Sequence, residues 1–220
     1  MKQSFFRSLC LSMLFLTWGT LAVAESPDGK MKIDTPDITT QDSSARFEKG
    51  ASEFGVQTGW GYSLQLPDGA PRTHWKFGFL APNYKYNLTG IIGESYYRGT
   101  LSWMVEGDAV ISYRPSTAYV FGASPLMVEY KFIQPDAKII PYVFVGAGVS
   151  YTNWDQKPYQ QELGTNFEFL LHGGVGAEFC KSKYGAFSAG YRFLHISNSG
   201  IKYPNIGVNA NLITLGYAFY

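Results

Sequence analysis

The sequence predicts an all-β protein: an eight-stranded antiparallel transmembrane β-barrel of the outer-membrane type. Aromatic residues make up 17% of the chain, 24 residues are glycine, and the mean hydropathy is −0.10. Aromatic girdles, tight turns and strands with one apolar face together give this balance, whereas membrane helices would raise the hydropathy. From residue 53 onward the chain also divides into eight aromatic, glycine-containing stretches. An even number of long strands can close into a barrel that leaves no unpaired edge in lipid.

The first residues are typical of an export signal rather than of the fold. Lys2 and Arg7 form a basic start, residues 9–21 are mainly apolar, and residues 22–24 read Ala-Val-Ala, a small-x-small cleavage pattern. A membrane helix is the alternative, but the apolar run is shorter than the roughly 20 residues that such a helix needs. We therefore predict a signal peptide over residues 1–24.

The rest of the chain divides into a lead-in and a barrel. Residues 25–52 are polar and contain scarcely any aromatic side chains, which predicts a flexible periplasmic segment. Residues 53–220 are predicted to form the barrel, because turn residues separate the aromatic stretches. The predicted strands are Gly55–Leu66, Thr73–Pro82, Tyr97–Tyr113, Ala118–Phe132, Ile139–Tyr151, Asn166–Cys180, Ala186–Asn198 and Val208–Tyr220.

The last predicted strand indicates which way its faces point. Its apolar positions alternate with small ones, which gives an apolar outer face and a small inner face. The apolar positions are Ile213, Leu215, Tyr217 and Phe219. Such an aromatic end resembles the assembly signal of bacterial outer-membrane proteins. Eight strands enclose room only for side chains, which argues against a transport pore. The alternative is a soluble lipocalin-type barrel whose apolar face turns inward.

Charge and motifs argue against several function classes. The net charge is +1, without the basic patch that nucleic-acid binding requires. Glycine-rich residues 146–148 and 173–176 fall in predicted strands and lack the strand-to-helix context of a phosphate-binding loop. After signal cleavage, Cys180 is the one cysteine, so no intramolecular disulfide is expected. No metal-ligand set is apparent, and we expect no cofactor.

Three histidines limit the search for a catalytic base. His74 and His172 are predicted to lie inside strands with no nucleophile beside them, as lumen or interface side chains. His195 is followed by Ser197, and residues i and i+2 of a strand share a face. A serine hydroxyl is a weak nucleophile alone and needs such a base within hydrogen-bonding reach.

The parity of this strand predicts that the pair points out of the barrel. His195 and Ser197 share a face with the aromatic residues of the strand, Phe187, Tyr191 and Phe193, whereas Arg192 lies on the opposite face. With the N-terminus in the periplasm, the seventh strand ends near the cell surface, at the depth of the outer leaflet. The alternative interpretation is an aromatic-belt histidine beside a loop serine.

Residues 195–209, HISNSGIKYPNIGVN, resemble the signature of the PagL family, the lipid A 3-O-deacylases. That signature has His-x-Ser-Asn, a glycine, a short gap, Pro-Asn-x-Gly and a third catalytic residue. The resemblance implies an outer-membrane β-barrel that acts as a serine esterase on the lipid A of lipopolysaccharide. It implies lipopolysaccharide and outer-membrane lipids as partners, while the charge balance argues against nucleic acid and the sequence leaves a homodimer open.

The resemblance also implies a role for each motif residue. His195 corresponds to the general base and Ser197 to the nucleophile, while the Asn198 amide and the Gly200 backbone N–H correspond to oxyanion donors. The third position departs from the best-known members, which have glutamate where this chain has Asn209. An amide oxygen can accept the imidazole N–H, but it carries no charge to stabilise an imidazolium.

Three hypotheses follow for the function. The first is hydrolysis of an ester-linked acyl chain of lipid A, with Lys202 beside the motif placed to meet lipid phosphates. The second is a non-enzymatic structural or binding barrel, which predicts that the His195–Ser197 pair points into the lumen or does not react. The third is a lipid A acyltransferase, in which another lipid intercepts the acyl-enzyme in place of water.

Overall fold

The computed structural model describes residues 45–67, 70–157, 159–179, 181–182 and 184–220. The predicted signal peptide, residues 25–44 of the predicted lead-in and Cys180 lie outside this part of the chain. No helix among the described residues is long and apolar enough to cross a membrane.

Eight antiparallel strands in the described part of the chain close into one barrel in sequence order. The predicted fold class is therefore confirmed. The strands are β1 Ser52–Ser63, β2 Lys76–Asn87, β3 Gly99–Arg114, β4 Ala118–Phe132, β5 Ile140–Thr152, β6 Phe167–Phe179, β7 Gly185–Ser197 and β8 Val208–Phe219. Short 3-10 turns lie at Ala45–Phe47, Ser95–Tyr97 and Trp154–Gln156.

The first hairpin differs from its predicted bounds, whereas β4 runs from Ala118 to Phe132 as predicted. β1 ends at Ser63 rather than at residue 66, and β2 continues past Pro82 to Asn87. Proline lacks the N–H that a strand ladder uses, which makes it a predicted strand end. Here the pairing of β2 with β3 passes from Leu80 to Asn83 without using Pro82, so the strand tolerates it.

The outer face of the barrel carries exposed apolar side chains from every strand. A soluble barrel would bury them, so the lipocalin-type alternative is wrong. A belt of outward-facing apolar residues is what a lipid environment stabilises. Members of this belt include Phe54, Trp60, Leu80, Ile111, Phe121, Leu126, Val145, Leu171, Val175, Ile213 and Leu215.

A buried arginine crosses the middle of the barrel interior. The guanidinium of Arg192 donates to both carboxylate oxygens of Glu106, at 2.9 Å for the Nη2–Oε2 contact, and to Oε1 of Gln57 at 2.9 Å. The rings of Phe79 and Phe144 flank it, each 4.7 Å from ring centroid to Cζ. A desolvated ion pair is tolerable when its hydrogen bonds are satisfied in this way. These side chains fill the interior, as the strand number predicts.

A second ionic network fills the barrel end where β1 begins and β8 ends. Lys85 pairs with Glu129 at 2.8 Å, and Lys131 pairs with Glu53 at 2.9 Å and with Glu178 at 2.5 Å. Alternating signs let each buried charge meet an opposite one, which offsets the cost of removing it from water.

Residues 45–51 close this end, although the sequence prediction placed them in the flexible lead-in. Arg46 pairs with Glu178 at 2.7 Å. Its guanidinium carbon lies 4.2 Å from the ring centroid of Phe47 and 4.3 Å from that of Tyr220. One cation thus ties the start of the described chain to its last residue. Polar composition alone does not reveal this, because the partners of Arg46 come from distant parts of the sequence.

At the opposite end, an apolar core lies beneath the loops. Trp75 and Trp154 stack with ring centroids 4.5 Å apart, and both are fully buried. Leu163, Ile196 and Val208 belong to the same cluster. The loop between β5 and β6 is therefore packed against the ends of β7 and β8, where the candidate site lies.

Candidate active site

His195 and Ser197 lie side by side on the outer face of β7. Leu194 and Ile196, the alternating residues, point into the barrel and are each 1% exposed, whereas His195 and Ser197 are partly exposed. The outward direction agrees with the parity argument. Nε2 of His195 lies 2.9 Å from Oγ of Ser197, within hydrogen-bonding distance.

Asn209 completes a linear arrangement from the neighbouring strand. It is the register partner of His195 in the β7–β8 pair, and its Oδ1 lies 2.8 Å from His195 Nδ1. Since an amide oxygen only accepts, the hydrogen must be on Nδ1 of the imidazole. Nε2 then carries no hydrogen and accepts a hydrogen bond from the hydroxyl of Ser197. This is the tautomer that a general base requires.

A second serine–histidine pair lies inside the barrel with the opposite polarity. His172 Nε2 is 2.9 Å from Oγ of Ser124, and its Nδ1 faces Nη1 of Arg192 at 3.2 Å. Arginine only donates, so Nδ1 accepts and the hydrogen sits on Nε2. His172 therefore donates to Ser124, whose hydroxyl donates to Asp108 at 2.7 Å. Such a histidine cannot take the proton of that serine.

Glu106, Asp108 and His172 bring three possible metal-ligand atoms within 4.8 Å of one another. The guanidinium of Arg192 already donates to Glu106 and to His172. Its fixed positive charge would repel a metal ion at this position. The group is therefore an ionic network of the interior rather than a fitting metal site.

His74 lies elsewhere than predicted. β2 begins at Lys76, so His74 is an exposed loop residue and not a strand residue. The reason is that β1 ends earlier and β2 begins later than predicted, so the loop between them is longer and includes His74. His172 lies in the lumen, as one of its predicted positions states.

Asn198, which follows the serine directly, is fully buried and braces the loop between β7 and β8. Its backbone N–H donates to Asn205 Oδ1 at 3.0 Å, and its Nδ2 donates to the Lys202 carbonyl at 2.8 Å. The Gly200 N–H donates to Asn198 Oδ1 at 3.0 Å. The structure thus brings Asn198 and Gly200 together beside Ser197, with the Gly200 N–H and one of the two amide hydrogens engaged within the loop.

Gly207 lies beside the pair, whereas sequence analysis identified only its place in the motif. Its φ is +72°, and a Cβ there would lie 2.9 Å from His195 Cε1 and 3.5 Å from Ser197 Cβ. A side chain at this position would push the imidazole ring aside. Asn209 is also fixed through its backbone, because its carbonyl accepts the Leu64 N–H at 2.7 Å.

Apolar side chains of β6 line one side of the site. Leu171 and Phe169 are the register partners of His195 and Ser197, and Leu171 is 51% exposed. On the other side, the hydroxyl of Tyr191 donates to Oδ1 of Asn211, a polar pair that sequence reasoning did not identify. The three residues therefore border an apolar surface on the outside of the barrel.

Comparison with known protein families identifies the group to which the chain is related. The sequence model of one family, described as lipid A 3-O-deacylase (PagL), matches residues 54–218. That range spans the barrel from β1 to β8 and includes the whole His195–Asn209 motif. The chain belongs to the PagL family.

One solved structure supports the PagL fold. The crystal structure of the outer membrane enzyme PagL has a TM-score of 0.54 and 20% identity, covering 76% of this chain and 99% of that one. At this identity the likeness shows the fold alone. OprG from Pseudomonas aeruginosa gives a TM-score of 0.40, 13% identity and coverages of 79% and 98%. Ail of Yersinia pestis gives a TM-score of 0.39 and 14% identity, covering 78% of this chain and 99% of that one.

Comparison with curated protein sequences gives no match. PagL membership, together with the apolar belt, assigns the barrel to the bacterial outer membrane.

Proposed function

We propose that this PagL-family chain hydrolyses an ester-linked acyl chain of lipid A, at the 3-position that the family description names. One observation carries the proposal: the hydrogen-bonded chain from Asn209 through His195 to Ser197 on the outer face of the barrel. A polar triad on a lipid-facing surface adds nothing to barrel closure. An enzyme that cleaves a membrane lipid needs its nucleophile there, because the substrate's acyl chains cannot enter a filled lumen.

In the first half-reaction, Ser197 Oγ attacks the ester carbonyl carbon while His195 Nε2 accepts the hydroxyl proton. The tetrahedral intermediate collapses when the bond between the carbonyl carbon and the sugar oxygen breaks. His195 returns its proton to that oxygen, and the sugar leaves with a free hydroxyl. The acyl chain remains on Ser197 as an ester.

In the second half-reaction, water takes the place of the sugar hydroxyl. His195 Nε2 accepts a proton from the water as its oxygen attacks the acyl carbon. Collapse of the second intermediate returns the proton to Ser197 and releases the fatty acid. In a lipid A acyltransferase, another lipid hydroxyl would attack instead, so the released product distinguishes the two reactions.

Asn209 supports this sequence of steps by geometry rather than by charge. Its amide oxygen holds the Nδ1–H tautomer, so Nε2 remains available for both proton transfers. Among the described residues, the one histidine–carboxylate contact within 4.0 Å joins His172 to Asp108. No carboxylate of the described residues lies within that distance of the His195 ring nitrogens. The imidazolium that forms in each step is consequently stabilised by an amide dipole alone.

The proposed oxyanion donors are the amide of Asn198 and the backbone N–H of Gly200. Nδ2 of Asn198 has two hydrogens, of which the Lys202 carbonyl takes one. The Gly200 N–H donates to Asn198 Oδ1, and this hydrogen bond orients the Asn198 amide. When a substrate oxygen arrives, the Gly200 N–H must be shared between that oxygen and Asn198 Oδ1. A single oxyanion donor contributes about 10²- to 10³-fold to the rate in comparable enzymes.

Mass spectrometry of lipid A incubated with the purified protein in detergent tests the proposal. We expect the loss of one hydroxyacyl chain and the appearance of the free fatty acid. Ser197→Ala removes the nucleophile and should leave the lipid intact. Ser199→Gly is the matched control, because it deletes an exposed hydroxyl two residues away at a position whose φ of 55° glycine adopts readily.

Each alternative gives a different spectrum. Transfer of the chain to a second lipid, without free fatty acid, would indicate an acyltransferase. Unchanged lipid A with active-site-directed probes also failing to label Ser197 would favour a non-enzymatic barrel. Equal cleavage by the wild type and by Ser197→Ala would refute the proposed nucleophile.

A further inference from the structure

Three loops meet at the barrel end behind the triad, and one buried residue, Glu162, connects them through its carboxylate and its backbone carbonyl. Glu162, in the loop between β5 and β6, is 1% exposed. Its carboxylate accepts the backbone N–H of Thr73, from the loop between β1 and β2, and the N–H of Gln161 at 3.0 Å. Its own backbone carbonyl accepts the N–H of Gly207 at 3.0 Å. Glu162 thus links two loops to the residue that touches the catalytic pair.

Gly207 passes this restraint to His195. A Cβ on Gly207 would lie 2.9 Å from His195 Cε1, so the glycine backbone closes one side of the imidazole. Gly207 therefore limits the space into which the ring could turn away from Ser197. Since the N–H of Gly207 is held by Glu162, and Glu162 is held by Thr73, the ring orientation depends on contacts outside the motif.

The same loop packs against the motif at a second point. A Cβ on Gly164 would lie 2.5 Å from the Pro204 carbonyl oxygen and 2.9 Å from that of Lys202. Only a glycine permits this approach of two backbones. The segment from Glu162 to Gly164 therefore forms a close-fitting support under residues 202–207.

We propose that Glu162 is a positioning residue of the active site: through Gly207 it holds the His195 ring so that Nε2 stays opposite Ser197 Oγ. The inference rests on the proposed function and extends it to a residue outside the motif. Glu162 itself does not contact the reacting atoms. A misplacement of about 1 Å in a catalytic group can cost about 10²-fold in rate, so loss of the support has a measurable effect.

The test compares Glu162→Ala with Glu162→Gln and with Glu168→Ala in the full barrel. Glutamine keeps an oxygen for the Thr73 N–H and leaves the backbone contact with Gly207 unchanged, although it gives up the oxygen that accepts the Gln161 N–H. Glu168 is the matched control, because it is fully buried near the same loop and accepts a hydrogen bond from Thr165 at 2.9 Å without contacting Gly207. Gly164→Ala disturbs the same support without altering any charge.

We expect Glu162→Ala and Gly164→Ala to lower kcat by about 10- to 100-fold while KM for lipid A stays within about threefold. Glu162→Gln should keep kcat within about threefold, and Glu168→Ala should resemble the wild type. A loss in Glu162→Gln as large as in Glu162→Ala would overturn the positioning role, because the hydrogen bond to Thr73 that glutamine keeps would then not be what holds the site.

Two readouts do not depend on lipid A turnover. One is the rate at which a fluorophosphonate labels Ser197, and the other is the ¹⁵N spectrum of the His195 ring, which reports its tautomer. We expect slower labelling and mixed tautomers in Glu162→Ala. If the wild type labels rapidly but leaves lipid A intact, the proposed substrate fails while positioning is still tested. An unchanged labelling rate and a single tautomer in both Glu162→Ala and Gly164→Ala would overturn the inference.

Discussion

Asn209 Oδ1 lies 2.8 Å from His195 Nδ1 across the β7–β8 pair. The contact provides one of the two contributions that an acid makes to a triad, since it accepts the Nδ1–H and fixes the tautomer. It lacks the other, the negative charge that stabilises the imidazolium. Geometry and charge are therefore separable at this position, because aspartate has the shape of asparagine.

Asn209→Asp is expected to raise kcat by about tenfold or more, with KM for lipid A unchanged, because the carboxylate adds charge to a hydrogen bond that already exists. Asn209→Leu should lose activity by up to about 10⁴-fold, since nothing then fixes the tautomer. Steady-state deacylation in detergent measures both. Asn211→Asp places the same charge two residues along β8 and should not raise kcat. A lower rate in Asn209→Asp would show that the amide hydrogens have a function of their own.

Gly207→Ala is expected to reduce kcat by about 10²-fold, because its Cβ would meet His195 Cε1 at 2.9 Å. Part of any effect comes from backbone strain, since φ is +72°. Gly50→Ala controls for strain: φ is +88° there, and the nearest atom to its Cβ would be the Tyr86 hydroxyl at 3.7 Å. Comparable activity losses in the two variants would mean that contact with His195 is not the cause.

The alternation of inward and outward side chains along a strand depends only on neighbouring residues, so the sequence alone predicts it. Apolar and polar positions in β7 separate Arg192 from His195, and the same parity places Asn209 beside the histidine. The candidate triad is therefore predictable from a fifteen-residue motif and the period of two. Its geometry follows because strands β7 and β8 are consecutive and pair directly.

Contacts between loops are not local, and sequence alone did not reveal them. Glu162 and Thr73 are 89 positions apart, and no periodic pattern connects two loop residues. Arg46 and Glu178 are 132 positions apart, so the end of the predicted lead-in looked unattached. The place of Asn198 in the motif predicts an oxyanion donor, whereas its hydrogen bonds to Asn205 and Lys202 depend on the path of the loop.

Arg192→Met is expected to destabilise the barrel by about 3 to 5 kcal/mol, because it leaves the carboxylate of Glu106 buried without its cation. Urea unfolding in micelles, followed by tryptophan fluorescence, measures the change. The double variant Arg192→Met/Glu106→Gln removes the charge and should recover most of the loss. Deacylation per folded molecule should change little, since Arg192 faces the lumen. A double variant as unstable as the single one would contradict the ion-pair explanation.

Lys202→Ala is expected to raise KM for lipid A by about fivefold at low salt, because one lysine near an anionic membrane surface contributes about 1 kcal/mol. The Lys202 side chain is exposed in the loop beside the triad, and Asn198 holds only its carbonyl, so the loop should keep its path. Lys138→Ala, in an exposed turn at the other end of the barrel, is the matched control. Dephosphorylated lipid A should abolish the difference between Lys202→Ala and the wild type. If KM rises equally with both lipids, Lys202 acts through the loop and not through phosphate.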